Sequence, residues 1–215
     1  MNSSVFISKS INEVAELNHF CKKNNLDLIA ESMIRFEAIP FKITGSFDVI
    51  FFASIRAAAF FLEKENIPST VSIACIGQTT ADKLIELGLS VDFIGEKSGN
   101  PEKVAEAFKL WLGMRKVLIP QSLVSKRSIA LKIAPNQCID VVVYNTIADC
   151  KIISACATYV FTSPSNFNSF LLCNQIPKGK IIAWGETTRK EILKNGLKVD
   201  HTLINSNPLE LYSLL

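Results

Sequence analysis

Histidine is scarce in this 215-residue chain, present only as His19 and His201, and the six cysteines (Cys21, Cys75, Cys138, Cys150, Cys156, Cys173) include no Cys-x-x-Cys pair. A tetrahedral structural site draws its ligands from close pairs, so the spacing argues against zinc, and no metal is expected. The cysteines are expected to be reduced thiols serving as small buried hydrophobes. No Gly-x-Gly-x-x-Gly and no Gly-Lys-[Ser/Thr] loop occurs, which argues against dinucleotide and nucleoside triphosphate sites. The Gly-x-Ser-x-Gly elbow of serine hydrolases is missing too. Long apolar runs are also lacking. The longest, Val49 to Leu62, has 14 residues and contains Ser54 and Arg56, whereas a membrane helix needs about 20. The opening Met1-Asn2-Ser3-Ser4-Val5 has no basic start followed by a long apolar run, so a cytoplasmic protein with no membrane partner is expected. Charge is mixed, with 23 Lys and Arg against 20 Asp and Glu for a net +3, and no block of one sign. That pattern argues against a nucleic-acid partner, which needs a concentrated basic patch.

What the chain does have is apolar mass. At 48% hydrophobic and 20% charged residues it is a folded globular protein, long enough for one large domain or two small ones. It also repeats itself. Gly77-Gln78-Thr79-Thr80 through Val91-Asp92 recurs as Gly185-Glu186-Thr187-Thr188 through Val199-Asp200, with seven of sixteen positions identical at an offset of 108. The likeness continues in Phe52-Ala53-Ser54 against Phe161-Thr162-Ser163, Ile67-Pro68 against Ile176-Pro177, and Asn100-Pro101 against Asn207-Pro208. Fainter echoes relate Val5-Phe6-Ile7 to Val117-Leu118-Ile119, and the segment from Asp27 to that from Asp140. The chain reads as two copies of about 110 residues.

In each copy, short runs rich in Val, Ile and Phe alternate with helical patterns, as in βαβ units around a parallel sheet. About ten strands are expected, five to a domain. Ser10 with Glu13 has capping-box spacing, Asn100-Pro101 and Asn207-Pro208 mark helix starts, and Gly88, Gly113 and Gly196 stand where left-handed residues end helices. The stretches 35–47 and 145–157 are longer joins and read as domain crossings, whereas the link from Leu112 to Lys116 is short. The expected architecture is two doubly wound, flavodoxin- or Rossmann-like parallel-sheet α/β domains with a cleft between them. A discontinuous domain (1–37 and 148–215) carries an inserted one (41–144); tandem halves are the alternative.

The repeated Gly-x-Thr-Thr joins an apolar strand directly to a helix. Glycine admits close backbone approach and a helix's first turn offers unpaired N–H groups, so carboxylates or phosphates can bind there. Gly77, Thr79, Thr80, Gly185, Thr187 and Thr188 are therefore candidate anion-binding residues. The competing reading is that Thr79 with Asp82, and Thr188 with Glu191, merely close helix ends. Ser163, followed by Pro164 and Ser165, and its counterpart Ser54 are candidates for capping a helix or for binding an anion.

In this order and spacing the motifs resemble the uroporphyrinogen-III synthase family. The resemblance rests on the paired strand-Gly-x-x-Thr-helix-Gly-Leu-x-Val-Asp elements, Phe161-Thr162-Ser163-Pro164-Ser165, and Val143-Tyr144-Asn145-Thr146 where the family carries Val-Tyr-x-Thr. It implies two α/β domains joined by a pair of connecting strands. The implied activity is a cofactor-independent lyase of tetrapyrrole and heme biosynthesis that cyclises hydroxymethylbilane, with inversion of ring D, to uroporphyrinogen III and water. The partner would be this linear tetrapyrrole, with hydroxymethylbilane synthase as upstream donor, and the protein a monomer. By resemblance Tyr144 is the catalytic acid, since a phenol is protonated at neutral pH. Ser54, Gly77, Thr79, Thr80, Ser163, Ser165, Gly185, Thr187 and Thr188 would meet the substrate. Lys126 and Arg127, placed near the first turn of a helix after Pro120, would join them, unless that face is simply solvated. Ala53 and Ile55 depart from the family's Thr and Pro, Gln121-Ser122 from its Arg-Gly, and Glu186 puts a carboxylate in the second turn. The alternative function is a non-catalytic two-domain protein that binds a small anion or a tetrapyrrole for regulation.

Overall fold

Four-residue apolar runs such as Val49-Ile50-Phe51-Phe52 form strands whose alternate side chains supply two cores at once. In the computed structural model, which describes residues 4–96, 100–204 and 207–215, eleven strands are seen. They are β1 (Ser4–Ile7), β2 (Asp27–Ala30), β3 (Ile34–Ala38), β4 (Val49–Phe52), β5 (Ser72–Cys75), β6 (Phe93–Ile94), β7 (Val117–Ser122), β8 (Cys138–Ala148), β9 (Thr158–Phe161), β10 (Lys180–Ala183) and β11 (His201–Thr202). The α-helices are α1 (Ala15–Lys23), α2 (Ile55–Leu62), α3 (Gln78–Glu86), α4 (Pro101–Leu112), α5 (Pro164–Cys173), α6 (Glu186–Lys194) and the short α7 (Leu211–Leu214).

The chain divides into two compact units, Met1–Arg35 with Ile147–Leu215, and Phe36–Thr146. Strands β3 and β8 carry the chain across the division, so residues 145–148, which read as an irregular join, finish an eleven-residue strand. In the first unit the strand order is β11-β10-β9-β1-β2, with every pair parallel. Around the second unit's sheet the order is β3-β8-β7-β4-β5-β6. When β9 is matched with β4 and β1 with β7, the two five-stranded orders coincide. Each is the doubly wound arrangement in which the chain leaves two adjacent central strands in opposite directions.

The second sheet corrects the sequence reading, which expected five strands. Its sixth is β3, which begins four residues after the end of β2. Hydrogen bonds from Asp149 N to Met33 O (2.8 Å) and from Ile39 N to Val143 O (3.0 Å) run in opposite senses along the two strands, so β3 is an antiparallel edge.

Each sheet is covered on both faces. Ile50 and Phe52 pack with Ala57, Phe61 and Leu84 of α2 and α3, while Val49 and Phe51 pack with Val104 and Phe108 of α4. In the first unit Phe6 and Phe161 join Phe167, Phe170 and Ile192 of α5 and α6, whereas Val5, Ile7 and Val160 face Leu17, Cys21 and Leu211. The repeat also ends its helices alike. Gly88 (φ 81°) and Gly196 (φ 77°) are left-handed, and the next residues, Leu89 and Leu197, donate back to Leu84 O and Ile192 O. The repeated aspartates are structural: Asp92 and Asp200 accept from the backbone N–H of Ile73 and Ile181 at 2.8 and 2.9 Å, fixing β5 and β10. The cysteine expectation needs correction, because Cys150 and Cys173 are joined by a disulfide with Cα atoms 5.8 Å apart. Their separation of 23 residues carries no recognisable spacing signal.

Candidate functional site

Open α/β sheets bind ligands beyond the carboxyl ends of the strands at which the winding reverses. In the second unit those strands are β4 and β7. They are paired only at Val49 with Val117 and Ile50 with Leu118. The next position of β7 at which the first unit shows a main-chain bond to this neighbour is Pro120, which has no N–H to donate. Two cavities flank the ends of these strands, of about 370 Å³ and 260 Å³, and share Ala53, Gln121 and Ser125.

The smaller cavity brings Ser54 and Tyr144 together with Ser122, Ser125 and Thr146. Ser54 caps α2 by accepting from Ala57 N at 3.2 Å. Tyr144 is buried, its ring stacked on Phe60 at 5.1 Å and edge-on to Phe36 at 5.9 Å. A register shift at Gln121/Ser122 sets Ser122 opposite Tyr144, a β-bulge of the kind that redirects side chains beside functional sites.

Lys126 and Arg127 line the larger cavity, but not from a helix. The segment after β7 is a loop that reaches only a 3-10 turn at Ala130–Lys132, which corrects the expected helix after Pro120. Arg127, at φ 54°, pairs through Nε with Asp140 at 2.6 Å. On the same strand, burial pushes the Cys138 thiol up to about 11, with the Asp140 charge adding to the rise.

The Gly-x-Thr-Thr corners resolve one alternative. Gly77 and Gly185 are the N-cap residues of α3 and α6, with no side-chain cap bond, so the threonines lie inside the first turn and do not close the helix ends. Thr80 and Thr188 are buried against the sheet, while Thr79 and Thr187 are exposed. Asp82 is taken by Gln78 Nε2 at 2.7 Å, and Glu186 by Arg189 at 3.1 Å, which offsets the carboxylate that departed from the family pattern. None of Gly77, Thr79 and Thr80 lines either cavity at the β4 and β7 ends.

In the first unit the corresponding strand ends, β1 and β9, are tied together. Ser8 N donates to Val160 O at 2.9 Å and Thr162 N to Ser8 Oγ at 2.8 Å. Thr162 Oγ1 donates to Ser8 O at 2.8 Å, which uses its only proton, so in the 3.1 Å contact between the two hydroxyls Ser8 is the donor. Beside this pair Ser163 caps α5, accepting from both Asn166 N (3.2 Å) and Asn166 Nδ2 (3.1 Å), while Asn166 Oδ1 accepts from Met33 N at 2.8 Å. With both lone pairs occupied, the Ser163 hydroxyl is left to act as a donor, the polarity an anion requires. Ser165 is exposed in the same first turn.

Sequence reasoning missed Ser125, Asn166 and Lys9, and it named Gln121, Ser122 and Thr146 within motifs but not as site residues. Lys9, just after β1, aligns with Gln121 of β7, so the duplication itself could have pointed to it; its Nζ lies 5.0 Å over the Trp184 ring, next to the Gly185 corner. Among the described residues no three His, Cys, Asp or Glu side chains gather as a metal site, and no helix is long and apolar enough to cross a membrane.

Comparison with known proteins gives one family, described as Uroporphyrinogen-III synthase HemD, which matches residues 16–204. No match was found among curated proteins. Among solved structures the chain is similar to uroporphyrinogen-III synthetase from Helicobacter pylori, with 16% identity, 100% of both chains covered and a TM-score of 0.71. It is also similar to a mutant uroporphyrinogen III synthase from the extremely thermophilic bacterium Thermus thermophilus, with 11% identity, 98% and 95% of the chains covered and a TM-score of 0.59. At such identities the structures establish the fold.

Proposed function

Because the chain belongs to the uroporphyrinogen-III synthase family and so to tetrapyrrole biosynthesis, we propose that it cyclises hydroxymethylbilane to uroporphyrinogen III and water with inversion of ring D. The reaction breaks one C–O bond, the C–C bond from ring D to its methylene and one C–H bond of ring D, forms two new C–C bonds to ring D, releases water and changes no overall oxidation state, so no redox cofactor is called for. We assign the protein to the lyases, acting as a cytoplasmic monomer on the bilane released by hydroxymethylbilane synthase.

The observation that carries this reading is the buried Tyr144 among the residues that line one cavity with Ser54, Ser122 and Thr146. In the proposed mechanism the Tyr144 O–H protonates the terminal hydroxyl as its C–O bond breaks, and the electron pair of the pyrrole nitrogen replaces the lost bond. The resulting electron-poor methylene is attacked by the substituted carbon of ring D, giving a spiro intermediate; the original bond from that carbon to its methylene breaks, the released methylene bonds to the free carbon of ring D, and the proton lost there restores the phenol. Phe60 and Phe36 hold the Tyr144 ring in place against the core. Substrate carboxylates are assigned to the first turns of α2, α3, α5 and α6, to Ser163 Oγ–H, and to Lys126, Arg127 and Lys9.

An isomer-resolved product assay tests the reading. Freshly generated hydroxymethylbilane with the purified protein should yield the type III isomer, whereas type I alone, the product of unassisted closure, would remove the assignment. Tyr144→Phe should lower kcat about 100-fold with KM little changed, the usual range for a lost general acid. A variant with the parent's kcat would dismiss the acid role. If the bilane instead binds tightly and is recovered unaltered, the anion-binding, regulatory reading stands in its place.

A further inference from the structure

The loop after β7 closes a ring of polar contacts on one carboxylate. Gln121 Nε2 donates to Asp140 Oδ1, Ser125 Oγ donates to Gln121 Oε1 at 2.7 Å, the Arg127 backbone N–H donates to Ser125 Oγ at 3.1 Å, and Arg127 Nε donates to Asp140 Oδ2 at 2.6 Å. Gln121 is 4% exposed and the Asp140 side chain 29%. Arg127 is left-handed at φ 54°, a conformation that a non-glycine residue holds where its surroundings dictate it and that is concentrated at functional sites. Its two anchors, Ser125 on the backbone and Asp140 on the side chain, are both members of the ring.

The ring lies on the wall of the 370 Å³ cavity, where Lys126 stands beside Arg127 and Ile76, Ile119 and Ile129 give an apolar lining. Asp140 and Arg127 together are neutral, so Lys126 leaves the wall with one positive charge. A guanidinium has five N–H donors, of which Asp140 uses Nε; the Nη pair keeps the fork that matches a carboxylate in two parallel bonds.

We propose that Asp140 is a positioning residue that, held by Gln121, keeps the Arg127 guanidinium on this wall so that its Nη fork receives a carboxylate of the substrate. The identity of the ligand rests on the synthase reading; the positioning of Arg127 rests on the ring alone. A contact that only stapled the loop would act on stability and leave ligand affinity unchanged.

The test compares wild type, D140A, D140N, R127A, R127K and D140A/R127A by steady-state kinetics with hydroxymethylbilane and by fluorescence titration of uroporphyrin III, an unreactive octacarboxylate. D140A and R127A are each expected to raise KM and the porphyrin Kd about tenfold, the value of one charge-assisted hydrogen bond, with kcat held within about twofold. The double variant should be no worse than R127A, because both changes remove the same contact. R127K, which keeps the charge without the fork, should recover only part of the affinity. If D140A does not fold, D140N, which keeps the shape and loses the charge, is read in its place and should raise KM and Kd about threefold. The proposal is overturned if the Asp140 variants leave KM and Kd at wild-type values, if they lower only melting temperature, or if the D140A and R127A effects add. Wild-type protein that binds uroporphyrin without turning over the bilane would remove the synthase reading and leave the positioning to be judged on Kd. Failure of wild type to do either would overturn both.

Discussion

Thr162→Val tests the account of the first unit's crevice most directly, because it removes one hydroxyl and keeps the side-chain shape. Ser8 is 1% exposed, and in the variant its hydroxyl loses an acceptor at 3.1 Å and its carbonyl loses a donor at 2.8 Å. A buried polar group left without its partner costs about 1–3 kcal/mol. Thr162 is half-buried, so water relieves part of this, and about 2 kcal/mol is expected for the two groups together. In a unit of about 100 residues that corresponds to roughly 10 °C in melting temperature. The chain has two tryptophans, Trp111 in the second unit and Trp184 in the first, so urea unfolding of the full chain in a Trp111→Phe background reports the first unit through Trp184. Ser8→Ala with Thr162→Val should be less destabilised than the sum of the single variants by about 1 kcal/mol, since the two hydroxyls satisfy one another. A Thr162→Val protein within about 0.5 kcal/mol of wild type, or strict additivity in the double variant, would refute the network.

Two further outcomes follow from other contacts. The Asp200 carboxyl is held below its ordinary range, chiefly by the Ile181 N–H it accepts and then by Lys198. A lowered folded-state value means stability that is fully present above the unfolded-state value and lost as pH falls from there through the folded-state value. Asp200→Asn should therefore flatten the acid limb of a stability profile taken from pH 7 downward, and an unaltered limb would disprove the assignment. Gly179 packs against backbone, and a Cβ there would enter the carbonyl oxygens of Cys156 and Ala157, so Gly179→Ala should cost about 2–3 kcal/mol in chemical denaturation or prevent folding; a wild-type midpoint would contradict the packing.

Much of the fold was legible because the repeat is read twice. Matching Phe52 with Phe161 and Val5 with Val117 already pairs β4 with β9 and β7 with β1, the correspondence that makes the two strand orders coincide. Capping chemistry was legible for a local reason. Ser54, Ser163 and Asn100 each accept from the backbone N–H three residues on, and a short polar side chain before a helix has few other uses. β3 escaped because an edge strand such as Ile34-Arg35-Phe36-Glu37-Ala38 carries charges on a solvated side and lacks the apolar run of its buried neighbours. The loop at 123–129 escaped because no local rule announces a left-handed arginine. The fainter echo proved inexact: Ile7 is opposite Ala30 in the first unit, while its counterpart Ile119 is opposite Asp140, so Asp27 and Asp140 are not equivalent. The ring around Asp140 therefore has no copy in the other unit, and no comparison of the halves could have found it.

A second asymmetry lies in two pairs of aligned positions, Ser8 with Pro120 and Thr162 with Ala53. Ser8 at the end of β1 supplies an N–H and a hydroxyl, and with Thr162 they bind the ends of β1 and β9 together through four contacts of 2.8 to 3.1 Å. Pro120 at the end of β7 supplies neither, and Ala53 stands where Thr162 would, so the same chain geometry has nothing to close it. Ala53 lines both cavities at that edge, with Lys126 and Arg127 on the larger and Tyr144 on the smaller. Duplication supplied two equal frames, and in one of them the ends of the two central strands are left untied beside the smaller cavity. Ala53→Thr alone should not tie these ends, because the strand would regain a hydroxyl while Pro120 still lacks the N–H by which Ser8 holds β1 to β9 in the other copy.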